Sequence, residues 1–226
     1  MTDAPPLVLD IDGTMTRPDD SIDPRFFDVL PEWDAPVVLA TGKSFPYPVS
    51  LCHFLTIPQN VVAETGGIVL ARGEVTRNGD GEAARRVAEA YVEAGYDLGW
   101  GPADLVNRWR ETEVAVARDQ PLGPLEELAA EHGQEVVDTG YAYHVKSPSV
   151  EKGIGLKSVA RLLDCDPGEF VAIGDSENDV STFGVAGESY AVANADEKAK
   201  RAADVVLDQS YSDGALAVLD DLRARA

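Results

Sequence analysis

Basic residues are scarce in this chain. It carries 19 Lys plus Arg, only six of them Lys, against 40 Asp plus Glu, a formal net charge of −21 over 226 residues. Binding to a phosphate backbone needs a basic footprint, so the charge balance excludes nucleic acid as a partner. Cysteine is scarce too. Cys52 and Cys165 are too few for a disulfide framework and lack metal-ligand spacing. The three histidines, His53, His132 and His144, stand outside every acidic cluster and are expected to be surface or packing residues. No N-terminal stretch is long or apolar enough for a signal peptide or a membrane span. The expectation is a cytoplasmic protein with no membrane partner.

Apolar content is ordinary, at 44%. Aliphatic runs recur along the whole chain, so the acidic excess does not signal disorder. The length allows one full core, with or without an insert. A folded acidic surface poor in Lys resembles proteins of salt-accumulating halophiles. Such a surface repels itself at low salt.

One stretch organises the rest. Leu7-Val8-Leu9 is an apolar run that ends in Asp10-Ile11-Asp12-Gly13-Thr14. This pattern predicts a buried strand that delivers carboxylates to the carboxyl edge of a sheet, where open α/β sheets bind ligands. Asp12-Gly13 alone could be a simple turn. Asp10 could not, because a charge inside an apolar run is costly unless paired or metal-bound.

Further strands end in polar clusters. Pro36 to Ala40 leads into Thr41-Gly42-Lys43-Ser44, a hydroxyl and glycine suited to phosphate oxygens. Gly42-Lys43-Ser44 imitates the end of a Walker A loop, but Val37 stands where that motif requires glycine, so a P-loop is rejected. Val61 to Ala63 and Ile68 to Leu70 read as short strands around a turn. Phe170 to Ile173 ends in Gly174-Asp175-Ser176-Glu177-Asn178-Asp179. Tyr190 to Ala193 and Val205 to Leu207 complete the sheet, and Gly214 to Leu222 forms a terminal helix. Alternating strands and helices predict a doubly wound, mostly parallel, Rossmann-like α/β sheet over residues 1–74 and 149–226.

Residues 75–148 have a different character. Gly81 to Ala94 reads as an amphipathic helix, Glu113 to Arg118 as an alternating strand, and Pro124 to His132 as a helix stopped by Gly133. Gln134 to Asp138 and Tyr141 to Lys146 read as a hairpin around Thr139-Gly140. This is a smaller α+β domain inserted in the chain, expected to cap the site. A helix from about Val150 to Leu163 follows, with Ser149 as its expected N-cap. On that helix Lys152 shares the direction of Leu156, Val159, Ala160 and Leu163 within ~80° at ~100° per residue, whereas Lys157 points outward.

Asp10, Asp12, Asp175 and Asp179 would repel one another in one pocket without a cation. Carboxylates with no His or Cys nearby suit Mg²⁺, which shares its shell with water and substrate phosphate. A carboxylate can also attack phosphorus and divide a hard displacement into two easier ones.

Asp10-Ile11-Asp12-Gly13-Thr14, the strand ending in Thr41, Glu151-Lys152-Gly153 at a helix start, and the 174–179 run are together similar to the haloacid dehalogenase-like phosphatase superfamily. The four motifs appear in the family's order and span the chain. The insert resembles the cap of the Cof-like branch, and its small size resembles the archaeal phosphoglycolate phosphatases. The resemblance implies Mg²⁺-dependent hydrolysis of a small phosphorylated metabolite through an aspartyl-phosphate. It implies Asp10 as nucleophile, Asp12 as general acid and base, and Thr41, Gly42 and Lys152 as phosphate holders. Asp10, Asp175 and Asp179 then hold Mg²⁺, with the backbone carbonyl of Asp12 as a further ligand. Lys43 stands where many relatives have Arg, and Glu64-Thr65-Gly66 where many have Glu-Asn-Gly. A sugar-phosphate phosphatase, a phosphosugar mutase and a non-enzymatic phospho-Asp regulator remain alternatives. The DxD pair and the cap favour the hydrolase.

Overall fold

The structure, a computed structural model, describes residues 4–225. Its apolar runs form an eight-stranded sheet. The strands are β1 (Leu7–Asp10), β2 (Val37–Ala40), β3 (Val61–Ala63), β4 (Ile68–Ala71), β5 (Glu74–Arg77), β9 (Val171–Gly174), β10 (Glu188–Ala191) and β11 (Val205–Val206). Between β5 and β9 the chain forms a second sheet, from β6 (Glu113–Ala117), β7 (Glu135–Asp138) and β8 (Ala142–Lys146).

The large sheet runs in the order β11-β10-β9-β1-β2-β3-β4-β5. It is parallel from β11 to β3, and β4 and β5 are antiparallel additions at one edge. β1, β2 and β9 are buried at every residue, as expected of strands covered on both faces. Each fully buried aliphatic side chain contributes roughly 1.5–3 kcal/mol of transfer free energy. β1 lies between β2 and β9, with Asp10 opposite Ala40 and Leu9 opposite Ile173. This register brings three strand ends to one edge.

The helix Lys152–Leu163 buries Leu156, Val159, Ala160 and Leu163. Its first turn approaches its neighbours very closely. A Cβ on Gly153 would sit 2.2 Å from the carbonyl oxygen of Ser181, so only glycine fits there. The helix begins two residues later than expected, and Ser149 does not cap it. Ser149 has φ 67° and the N-cap position belongs to Glu151, which makes no side-chain cap bond.

The small sheet, in the order β6-β8-β7, is antiparallel. The helices Gly81–Glu93 and Leu122–Glu131 cover one of its faces, with Val87, Tyr91, Leu125 and Ala129 packing on Val114, Val116 and Val145. Asp80 caps the first helix by accepting from the Ala83 N–H at 3.0 Å. β5 was not expected as a strand. It extends the large sheet past the boundary expected after residue 74. Among the described residues no helix is long and apolar enough to cross a membrane.

Candidate active site

The three central strand ends build the site. Asp10 is the last residue of β1, Thr41 follows β2 and Asp175 follows β9. Asp10 and Thr41 are both buried. Beyond Asp10 the chain turns at Gly13, where φ is 82°. The positive φ favours glycine, and a Cβ there would lie 2.0 Å from Asp175 Oδ2 and push that carboxylate aside. The Gly13 carbonyl accepts from Asn194 Nδ2 at 3.0 Å, and the Gly13 N–H donates to Thr16 Oγ1 at 2.9 Å. The loop after β1 is therefore pinned from two sides.

Asp10, Asp175 and Asp179 each present a carboxylate oxygen, and these oxygens lie within 4.8 Å of one another. Lys152 enters from the first position of its helix. Its Nζ donates to Asp10 Oδ1 at 2.5 Å and to Asp179 Oδ1 at 2.7 Å. The other oxygen of Asp179 accepts from the backbone N–H groups of Asp175 and Ser176, both at 3.1 Å. Lys157 is exposed, five residues further along. The Thr41 hydroxyl accepts from the Lys43 N–H at 3.1 Å, and the Gly42 carbonyl accepts from Arg110 at 3.0 Å. Asp12 stands apart from the cluster. Its side chain is half-exposed and pairs with Lys43, which also lies over the Tyr47 ring.

Burial pushes Asp10 well above the usual carboxylate range. Lys152 opposes this, and Asp179 and Asp175 add to it. Asp175 is pushed up to about 7 by burial and then by Asp179. Burial also works against the charge on Lys152, but Asp10 and Asp179 outweigh it and hold the ammonium above its ordinary value. Three carboxylates with one ammonium are under-neutralised. That is the electrostatic condition for taking up a cation. All-oxygen donors without His or Cys fit a hard divalent ion.

Comparison with known proteins agrees with this geometry. A family profile described as haloacid dehalogenase-like hydrolase matches residues 124–219. A Natronomonas pharaonis protein named phosphoglycolate phosphatase is 62% identical over 220 residues, covering 96% of this chain and 97% of the relative. A Halorubrum lacusprofundi protein of the same name is 61% identical over 223 residues, covering 98% of each. The chain belongs to the haloacid dehalogenase-like hydrolases. A Thermoplasma acidophilum crystal structure shares the fold, with a TM-score of 0.81 at 23% identity, over 96% of this chain and 97% of that one.

In this hydrolase the inserted unit docks through Glu64. Its buried carboxylate accepts from the N–H groups of Glu111 and Thr112, at 3.0 and 2.7 Å, and from the Thr112 hydroxyl at 2.7 Å. Burial raises its pKa, and the Thr112 bonds oppose that. Glu64, Thr65 and Gly66 are all left-handed, at φ 51°, 55° and 97°, which turns this carboxylate toward the insert. A cleft of about 790 Å³ lies between the small sheet and the core loops. Ser176 and Asn178 line it beside the acidic run, but the four acids do not. The sequence reading missed Glu64, Arg110 and Asn194 as organisers. Asn194 follows the end of β10, at the same sheet edge, and that was its available signal.

Proposed function

We propose that this hydrolase is a Mg²⁺-dependent phosphatase that converts 2-phosphoglycolate and water to glycolate and phosphate. The carrying observation is the pair of buried acids Asp10 and Asp179 on the Lys152 ammonium, with half-buried Asp175 beside them, at the carboxyl edge of the sheet. The choice of substrate draws on the printed names of relatives that are 62% and 61% identical.

In this reading an Asp10 oxygen attacks phosphorus as the bond to the leaving oxygen breaks. Asp12 gives its proton to the departing alkoxide of glycolate. It then takes a proton from water as that water attacks phosphorus and the bond to Asp10 breaks, restoring the Asp10 carboxylate and the Asp12 carboxylic acid. Asp12 is half-exposed on the chain leaving β1, so it can reach the leaving side once Lys43 releases it. Lys152 and the N–H groups near Thr41 and Gly42 hold the phosphoryl oxygens. Asp10, Asp175, Asp179 and the Asp12 carbonyl would hold Mg²⁺, which would supply positive charge beside the phosphoryl oxygens. The inserted unit, expected over 75–148 and starting after β5, serves as the cap.

The test is phosphate release from a panel of phosphoglycolate, sugar phosphates and sugar bisphosphates, with MgCl₂ or chelator, in molar KCl. Phosphoglycolate is expected to lead the panel, and chelation to stop the reaction. A sugar phosphate turned over faster than phosphoglycolate would displace the substrate assignment. Full activity in chelator would displace the metal.

A further inference from the structure

The mechanism uses nothing on the cleft-facing side of the cap sheet. Strand alternation defines that side. Tyr143 and Val145 of β8 pack toward the cap helices, so Ala142, His144 and Lys146 face the other way. Register adds two cross-strand rows, Glu113–Lys146–Glu135 and Ala115–His144–Val137.

The cations here are mostly engaged. Lys146 donates to Glu135 at 2.5 Å and to the Val150 carbonyl at 2.6 Å. Lys198, on the core wall, pairs with Glu177. His144 differs. Its Nδ1 lies 3.0 Å from Glu113 Oε1, and this is the ring's one hydrogen bond among the described residues, which leaves Nε2 unengaged in a ring that lines the cleft. A short relay also ties this ring to the phosphate end. Glu113 Oε1 pairs with Arg110 Nη1, and the same Nη1 donates to the Gly42 carbonyl at 3.0 Å. The ring is thus three polar contacts from the loop proposed to hold phosphate.

We propose that His144 is the specificity contact of this cap, its Nε2–H holding the carboxylate of the substrate while the phosphate lies at Asp10. The inference rests on the phosphoglycolate reading and assigns its recognition to one side chain. With Glu113 on Nδ1 and the substrate carboxylate on Nε2, the bound ring carries both N–H protons. Glu113 and Arg110 act as positioning residues, because they set the ring against the phosphate loop.

The experiment compares phosphoglycolate with ethyl phosphate, which is equally short and lacks the carboxylate. In His144→Gln and His144→Ala, kcat/KM on phosphoglycolate is expected to fall about 10- to 100-fold, mainly through KM, as when a charge-assisted hydrogen bond is lost. The loss on ethyl phosphate is expected to be at least about tenfold smaller. Equal losses on the two esters overturn the inference. Should neither variant fold by circular dichroism, ring-¹⁵N-labelled wild-type protein is titrated with glycolate. The His144 signal is assigned by substituting His53 and His132. A shift of Nε2 with glycolate but not with ethanol supports the contact, and an unmoved signal overturns it. A wild-type enzyme indifferent to the two esters rejects the phosphoglycolate reading by itself, and the glycolate titration then decides His144 separately.

Discussion

Single residues carry sharply different loads here. Asp10 sits at the end of a wholly buried strand with Lys152 on one oxygen. Asp10→Asn keeps the shape and removes the attacking charge, so turnover is expected to fall at least ~10³-fold, as for other covalent nucleophiles. Phosphate release together with circular dichroism checks this, and substantial hydrolysis by the folded variant would sink the mechanism. Lys152→Ala is expected to lose ~10²-fold or more in kcat/KM, because two buried carboxylates lose their donor. Lys157→Ala is expected to stay within about twofold, since its side chain faces solvent. Comparable losses in the two variants would place the reacting lysine elsewhere. The acid cluster and Lys152 were readable because each violates a local pattern: charge in an apolar run, or on the apolar stripe of a helix. The Lys43–Asp12 pair, the Asn194 bond to the Gly13 carbonyl and the Glu64 clamp were not readable. Each joins residues distant in sequence through polar contacts that leave no periodicity.

At the scale of elements, the loop after β1 is tied to the last helix, Tyr211–Arg225, through Asp23. The Asp23 carboxylate is fully buried, accepts from Arg25 at 2.7 Å and Arg17 at 3.1 Å, and accepts from the Ser212 hydroxyl at 2.9 Å. The Arg25 bonds hold its pKa well below the usual carboxylate range, against its burial. A depressed acid contributes stability above its unfolded value of 3.8 and loses it as pH falls toward the folded value. Asp23→Asn is therefore expected to cost ~1–3 kcal/mol at pH 7, discounted because both arginines are half-exposed. Thermal melts should show the gap to wild type narrowing below about pH 4. A gap that stayed constant with pH would mean that Asp23 acts by packing alone. Strands β1, β2 and β9 were legible because continuous aliphatic runs mark doubly covered strands. β5 was not, since Glu74-Val75-Thr76-Arg77 is a mostly exposed edge with little apolar signal. Ser149 was misread as a cap because its left-handed backbone cannot be seen in a residue name.

For the whole molecule, the governing quantity is a net charge of −21 on 24.1 kDa. Repulsion among surface acids is screened beyond ~3 Å at 1 M salt, against ~10 Å at 0.1 M. Melting temperature and activity are both expected to rise as KCl approaches molar levels, in keeping with the haloarchaeal relatives. Flat or falling curves across that range would reject salt adaptation. The order of the strands has a temporal meaning too. β1 is made first, yet it stands between β2 and β9, and the acids at 175 and 179 emerge only after the whole insert. At ribosomal rates that interval is roughly 10–30 s. The strands of the small sheet all fall within residues 113–146 and need no distant partner. Pulse-labelled hydrogen exchange during refolding should find β6 and β8 protected before β1. The nascent chain would then finish its inserted unit before its acid cluster is complete, and Asp10 would spend its first seconds as an unpaired acid on an unfinished sheet.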